Sequence, residues 1–290
     1  MLLKELINHA TRTLSGLYPE SEAREMVLAY LCDTLGIRKH THILEPSYEV
    51  EEKMVERAVC DFERMAGGEP LQYVTGKAPF YGRIFHVTPA TLIPRQETEL
   101  LCRMAVGAVA LKPSRILDLC TGSGCIAWTL ALELPESEVV AVDLSEEALE
   151  VASSQDFSEE ISRTGASVPN FFKADVLAAP EQSLSRRSFD LILSNPPYVM
   201  DKEKSQMRPN VLKHEPHMAL FVPDHDPLVF YRAVAEWAAS LLSDNGCGIV
   251  EINESLGART ADVFRNAGFS EVQVLKDLNE KDRFVRFSWK

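Results

Sequence analysis

From Met1 to Gly68 the apolar positions recur every three or four residues: Leu2, Leu3, Leu6, Ile7, Ala10 and Leu14, then Ala23, Met26, Val27, Tyr30, Leu31 and Leu35. That period places them on one face of a helix, so each stretch predicts an amphipathic helix. A third set, Val50, Met54, Val55, Ala58, Val59, Phe62 and Met65, stops at Gly67-Gly68, where glycine can take the left-handed conformation that closes a helix. Residues 1–68 are therefore expected to form a small all-α domain.

The pattern changes over residues 69–95. Segments such as Leu71-Gln72-Tyr73-Val74 and Phe80-Tyr81-Gly82-Arg83-Ile84-Phe85-His86-Val87 alternate β-formers with turn residues, which predicts a β-hairpin linker. Beyond it, residues 96–290 open with a helix over Glu97–Val109. Strands are then expected at Arg115–Leu119, Val139–Asp143, Asn170–Ala174, Phe189–Ser194, Gly248–Ile252, Glu271–Leu275 and Phe284–Ser288. Between them the helical period returns near Ile126–Leu134, Glu146–Phe157, Pro227–Leu242 and Leu256–Ala267. Alternating βα units require a mainly parallel sheet covered on both faces, the Rossmann-like α/β architecture. The short Asp277–Asp282 connection predicts that the last two strands pair antiparallel.

Composition narrows the partners. The 290 residues carry 30 Lys+Arg against 43 Asp+Glu, a formal charge of −13, and the first 69 residues hold 8 basic against 13 acidic side chains. Such a field repels a phosphate backbone, so direct nucleic-acid binding is not expected. A leader, a membrane-crossing stretch and a disulfide-dense cysteine spacing are all missing from the pattern, which predicts a cytoplasmic protein with six reduced cysteines.

The first βα junction reads Asp118-Leu119-Cys120-Thr121-Gly122-Ser123-Gly124-Cys125, an apolar strand running through glycines into a helix. Glycine lets a backbone approach a ligand closely, and a helix N-terminus offers free N–H groups to negative charge. Gly122-x-Gly124-x-x-Ala127 alone also fits a dinucleotide fingerprint. The acids at the strand ends discriminate. Asp118 would oppose a pyrophosphate and favour the ammonium and sulfonium of S-adenosylmethionine. Asp143, about twenty residues further on, suits a ribose whose two hydroxyls donate to one carboxylate. Asp175 ends the third strand, near where an adenine amino group would lie.

The fourth strand runs into Asn195-Pro196-Pro197-Tyr198. Consecutive prolines stiffen the backbone and leave its carbonyls as acceptors. A planar –NH₂ has two hydrogens, one for the Asn195 side-chain oxygen and one for the Pro196 carbonyl, with Tyr198 stacked on its plane. Held so, the nitrogen lone pair faces an electrophilic methyl, and Asn195 and Pro196 stabilise the charge that develops on nitrogen. The expected chemistry is methylation of a planar amino nitrogen.

With these motifs in place the chain resembles the release factor glutamine methyltransferases. The resemblance rests on the glycine turn, on Asn195–Tyr198, on Glu69-Pro70-Leu71-Gln72-Tyr73 and Gly76, on Leu92-Ile93-Pro94-Arg95-Gln96-Glu97-Thr98-Glu99, and on Glu215-Pro216 and Ala219-Leu220. It implies S-adenosylmethionine as methyl donor and the side-chain amide nitrogen of the glutamine in the Gly-Gly-Gln motif of class-1 peptide chain release factors as acceptor. A role in translation termination follows. The helical domain carries no catalytic constellation and is joined by a structured linker rather than a flexible tether, so it is expected to recognise the protein substrate, and the chain is expected to be a monomer. The resemblance also implies cofactor contacts at Cys120, Thr121, Gly122, Ser123, Gly124, Asp143, Val176 and Asn195, and a substrate clamp of Asn195, Pro196, Pro197 and Tyr198. The sequence departs from the family at Cys120, where glycine is usual, at Gln96, where proline is common, and over Phe221–Pro227, which replaces a glycine-richer loop. The competing reading is an adenine amino methyltransferase acting on DNA or RNA, which a basic stripe would favour and this composition does not.

Weaker signals remain. His214, His217 and His225 stand beside Glu215, Asp224 and Asp226, but prolines at 216 and 227 and the lack of a helical two-His spacing predict a surface loop without metal. Trp128, Trp237 and Trp289 are expected in the core, Arg186-Arg187 in an exposed turn, and Glu97 at a helix N-terminus.

Overall fold

The computed structural model describes residues 1–109, 114–180, 184 and 188–290. Its contacts divide the chain into two compact units, Met1–Lys77 with Met207–His214, and Ala78–Gln206 with Glu215–Lys290.

The first unit is helical: α1 Leu3–Leu14, α2 Glu20–Leu35, α3 Thr41–Leu44, α4 Glu52–Ala66 and α5 Leu71–Thr75. The apolar face read from the sequence is the one that is buried, with Leu6, Ile7, Ala10, Leu14, Val27, Leu31, Phe62 and Met65 forming a single cluster. A polar pair sits inside it: Tyr30 donates to the buried Asp61 at 2.6 Å, so neither group lacks a partner. Residues 71–75 form helix rather than the expected hairpin. Pro70 supplies the extended residue that enters α5, and Gly76, at φ 69°, supplies the left-handed one that ends it. The helical unit also takes in the short helix Pro209–His214, next to which Arg208 pairs with Glu22 at 2.8 Å.

The second unit opens inside the hairpin β1 Lys77–Phe80 and β2 Arg83–His86, whose first residue closes the helical unit, and passes on to α6 Gln96–Val109. It continues through β3 Arg115–Leu119, α7 Cys125–Glu133, β4 Glu138–Asp143, α8 Glu146–Ser153, α9 Ser158–Thr164 and β5 Asn170–Lys173. Then come β6 Phe189–Ser194, the short pair β7 Val199–Met200 and β8 Phe221–Val222, α10 Val229–Leu241, β9 Leu242–Glu251, α11 Gly257–Asn266, β10 Glu271–Lys276 and β11 Asp282–Ser288. The helix expected over Glu146–Phe157 is two helices. Asp156 accepts from the Ser158 N–H and restarts the turn at α9.

The strands form a seven-stranded sheet in the order β10-β11-β9-β6-β3-β4-β5. β5, β4, β3, β6 and β9 run parallel, while β11 is antiparallel to both β9 and β10, as the short C-terminal connection predicts. Two buried layers cover it: Trp237, Leu241, Phe264 and Phe287 in one cluster, Leu101, Ile126, Trp128 and Leu130 in the other. Trp128 and Trp237 are buried, whereas Trp289 is half-exposed at the chain's end, its ring 4.4 Å from that of Phe269. The expected Arg186-Arg187 turn lies outside the described residues.

After β3 the chain winds to β4 and β5 on one side, then returns to place β6 on the other. That reversal opens a crevice at the carboxyl ends of the strands, where open α/β sheets bind ligands. Register brings the segments together: Leu119 is opposite Ser194 and Val142, and Ser194 is opposite Val250. The residues that follow these pairs are Cys120, Asp143, Asn195 and Glu251.

Candidate functional site

The crevice is a cleft with about 1060 Å³ of space between the protein atoms, its open mouth included. Of the residues read from the sequence, Cys120, Thr121, Gly122, Ser123, Asp143, Asp175, Val176, Asn195 and Pro197 line it, and Asp118, Gly124, Pro196 and Tyr198 do not.

The glycine turn is built around backbone conformations that side chains avoid. Gly122 and Gly124 have φ of 54° and 77°. At Gly122 an added Cβ would meet no atom within 4 Å, so backbone faces open space, as close ligand approach requires. Gly124 serves packing instead: a Cβ there would lie 3.0 Å from that of Ala152 and 3.2 Å from the Trp128 ring, so it sets how closely α7 approaches α8. Cys120 also takes φ 61°. A non-glycine residue there is strained, and the flanking bonds hold it: Thr121 N–H donates to Val142 O at 3.0 Å, and Ser194 Oγ donates to Leu119 O at 2.8 Å.

Asp143 fixes the turn from the side. Its Oδ2 accepts from Gly122 N–H at 2.8 Å and its Oδ1 from Ser145 N–H at 3.0 Å. Burial raises its pKa, and the backbone donors of Ser145 and Gly122 oppose the rise. Each oxygen keeps lone-pair capacity for a further donor from the cleft. Asp175 is exposed, with Oδ1 accepting from Leu177 N–H at 2.9 Å, and Val176 is a buried wall residue.

Asp118 corrects the expectation that its charge faces a ligand. It is wholly buried beneath the turn, where Thr121 Oγ1 donates to its Oδ2 at 2.6 Å. Burial pushes its carboxyl up to about 7, opposed by the Thr121 bond and reinforced by the nearby Asp143 charge. A pKa above the ordinary 3.8 means that the native state holds this proton while the unfolded chain has lost it, so this contribution to stability falls as pH rises from about 4 to 7. Asp118→Asn keeps an acceptor for Thr121 without an ionisable group. Between pH 5 and 7 it is expected to remove on the order of 2–3 kcal/mol of pH-dependent destabilisation, read as the difference in denaturant unfolding between variant and parent. Identical pH slopes for the two proteins would show that Asp118 is not held neutral.

At the other end of the cleft, Asn195 follows β6 half-buried, and its Nδ2 donates to Thr98 Oγ1 at 3.2 Å. Thr98, in the first turn of α6, donates to Glu251 Oε2 at 2.7 Å. Tyr198 is not stacked over the cleft as expected. It packs against the principal core, and its hydroxyl donates to Glu251 Oε1 at 3.0 Å. Glu251 ends β9, 1% exposed. Burial raises its pKa, and the hydroxyls of Thr98 and Tyr198 and the charge of Arg283 hold it down. Pro196 is buried away from the cleft surface, its ring among the groups that stiffen the turn. A second network holds the same loop: Asn253 Nδ2 donates to Tyr198 O at 3.2 Å and to Glu203 Oε2 at 2.9 Å.

Arg95 lines the cleft and grips Glu215 with Nη2, at 2.6 Å from Oε1 and 2.8 Å from Oε2. The Glu215 side chain is 1% exposed, a buried partner for that arginine rather than a group on an open loop. Glu97 sits in the first turn of α6 as expected, but does not line the cleft.

Thr98, Glu251 and Gln155 escaped the sequence reading. Gln155 joins the hairpin to the glycine turn: its Oε1 accepts from His86 N–H at 2.8 Å, and its Nε2 donates to His86 O at 2.8 Å and Ser123 O at 3.1 Å. For Glu251 there was a signal, a charged residue inside the apolar strand Gly248-Ile249-Val250-Glu251-Ile252, at the same sheet end as the motifs.

Glycine turn, strand-end carboxylate and Asn-Pro-Pro-Tyr turn at one crevice define a methyltransferase of the α/β class. Residues 111–249 match a methyltransferase domain and residues 5–76 a PrmC N-terminal domain. The chain is 33% identical to the release factor glutamine methyltransferase of Flavobacterium psychrophilum over 100% of both chains, and 37% identical to that of Bacteroides thetaiotaomicron over 98% of this chain and 99% of the other. A solved structure, the release factor-specific protein-(glutamine-N5) methyltransferase of Alicyclobacillus acidocaldarius, is 28% identical, with a TM-score of 0.40 over 70% of this chain and 98% of that one. The protein belongs to the release factor glutamine methyltransferase family. No helix among the described residues is long and apolar enough to cross a membrane.

Proposed function

We propose that this protein transfers a methyl group to the side-chain amide nitrogen of the glutamine in the Gly-Gly-Gln motif of class-1 peptide chain release factors, in the cytoplasm. The observation that carries the reading is Asn195 at the cleft wall with its amide N–H already committed to Thr98, which leaves Oδ1 as an acceptor for a planar amino group. The family membership and the names of the relatives support the same substrate.

The residues present fit S-adenosylmethionine. The open space beside Gly122 accommodates a ligand close to the backbone, and Asp143 offers two oxygens with spare capacity for ribose hydroxyls. Bound there, the cofactor supplies a methyl made electrophilic by its sulfonium. The chain's own part is to bind and orient. Asn195 Oδ1 takes one hydrogen of the target –NH₂, which holds the nitrogen for attack and stabilises its developing charge; Pro196, whose carbonyl was expected to take the other, does not line the cleft and serves to stiffen the turn. The substrate nitrogen exchanges one proton for the methyl, and that proton leaves to water.

Incubation with isotopically labelled S-adenosylmethionine and a purified class-1 release factor is expected to place label on the Gly-Gly-Gln glutamine, located by peptide mass mapping. Label on another residue, or on DNA or RNA instead, would overturn the assignment. The helical unit is proposed to recognise the release factor, since it carries no part of the cleft. An enzyme lacking residues 1–68 is expected to bind S-adenosylmethionine like the full chain and to lose turnover of intact release factor; equal turnover by the two would refute the role.

A further inference from the structure

With Glu251 ionised, the state that its two hydroxyl donors and the Arg283 charge favour against burial, the bonds behind Asn195 have one consistent direction. A carboxylate accepts and does not donate, so the Thr98 hydroxyl proton is committed to Glu251 Oε2 at 2.7 Å. The Thr98 oxygen can then only accept from Asn195, and the group that Asn195 turns toward it, at 3.2 Å, has to be –NH₂. Rotating the Asn195 amide by half a turn would set its oxygen against the Thr98 oxygen with no proton between them, and would present two donors to a substrate that itself brings two. Tyr198 completes the run from the other side, at 3.0 Å from Glu251 Oε1. Both oxygens of Glu251 are thus held by hydroxyls in a site 1% exposed, where a charge is felt strongly along a chain of hydrogen bonds.

We infer that Thr98 and Glu251 are positioning residues for the methyl transfer: through Thr98, Glu251 sets which end of the Asn195 amide faces the target nitrogen, and its negative charge strengthens Asn195 Oδ1 as an acceptor. The inference rests on the glutamine-methylation reading. It gives the residue at position 251 a task distinct from folding, because a stronger acceptor matters most when the substrate nitrogen is becoming positive, and matters less when substrate merely binds. The register that puts Asn195 and Glu251 one step beyond the paired Ser194 and Val250 makes this contact a property of the sheet. Thr98 enters from α6, whose buried face of Thr98, Leu101, Cys102 and Ala105 lies at helical spacing.

The test compares Thr98→Val, Thr98→Ser and Glu251→Gln with the parent in single-turnover methylation of a release factor, beside calorimetric binding of S-adenosylmethionine and circular dichroism as a check of folding. Thr98→Val keeps the shape and removes the hydroxyl; its rate constant at saturating substrates is expected to fall about 10- to 100-fold, with KM for release factor and cofactor affinity changed less than about threefold. Thr98→Ser restores the hydroxyl and is expected to return to within about threefold of the parent. In Glu251→Gln the amide oxygen can still accept from Thr98 while the amide nitrogen donates to Tyr198, so the run stays connected and the charge is lost. About tenfold slower transfer is expected there, again with KM little changed. Should Glu251→Gln fail to fold, the Thr98 pair decides alone. Parental rates for a folded Thr98→Val overturn the inference, as does loss of rate in Thr98→Ser equal to that in Thr98→Val. A parent enzyme that leaves the glutamine unmethylated overturns instead the reading on which the inference rests.

Discussion

Asn195→Ala is expected to lose on the order of 10²-fold or more in single-turnover methylation of a release factor at saturating S-adenosylmethionine, with cofactor affinity reduced far less. The size follows from where Asn195 acts. Its Oδ1 is the acceptor that remains once Nδ2 is tied to Thr98, and a positioned hydrogen bond to an atom that gains charge is worth more in the transition state than in the bound state. Alanine also frees the Thr98 oxygen, which then has no donor facing it. Asn195→Asp is no milder substitute. It places a carboxylate oxygen against a hydroxyl whose proton already belongs to Glu251, so two oxygens meet with one proton between three of them. The aspartate must then rotate away or take up a proton, and in either case the acceptor geometry is lost. An Ala variant within a few-fold of the parent would remove the amide clamp, and with it the reason for preferring a planar amino nitrogen over an oxygen or carbon acceptor.

How much of this was legible in the sequence depends on whether the information was local. The strands β3, β4 and β6 were readable because short, largely apolar runs rich in β-formers ended in turn formers, and Asp143 and Asn195 were readable as the residues at the ends of β4 and β6. Asp118 and Asp143 look alike in sequence, each an acid closing a strand. The structure separates them by a single residue of reach: Asp143 is the last residue of β4 and emerges at the cleft, while Asp118 lies one short of the end of β3 and stays beneath the turn. The strand bounds read from the sequence already held that offset; what they did not reveal is that one residue of reach decides between burial beneath the turn and exposure to the cleft. Tyr198 was misplaced for a related reason, since its partner Glu251 is 53 residues away and is brought up by the pairing of β6 with β9. Thr98 and Glu251 are 153 residues apart and meet only through tertiary packing. The helix Pro209–His214 likewise joins the first unit from within the sequence of the second, an arrangement that no periodicity announces.

Asp143→Ala is expected to weaken S-adenosylmethionine binding by about 2–3 kcal/mol, roughly 30- to 150-fold, more than one neutral hydrogen bond would supply. Two losses combine. The carboxylate is the acceptor proposed for the ribose hydroxyls, and it also pins Gly122 N–H at 2.8 Å and Ser145 N–H at 3.0 Å, which holds the glycine turn and the start of α8 in place. Asp143→Asn shows why both oxygens matter. An amide has one acceptor oxygen, so its –NH₂ must confront either Gly122 N–H or Ser145 N–H, donor against donor, and affinity should fall about as far as for alanine. Acid gives an independent reading. The free carboxyl titrates above its ordinary value because of burial, and hydroxyls donating to it favour the ionised form, so cofactor binding should lower its pKa. By linkage, affinity then weakens as pH is lowered through the free protein's raised pKa and levels off above it. In Asp143→Asn that component should vanish while the fold, followed by circular dichroism, persists. Calorimetry that finds parental affinity in a folded Asp143→Ala, or the same pH profile in Asp143→Asn as in the parent, would take the ribose away from Asp143 and require another ligand for the glycine turn.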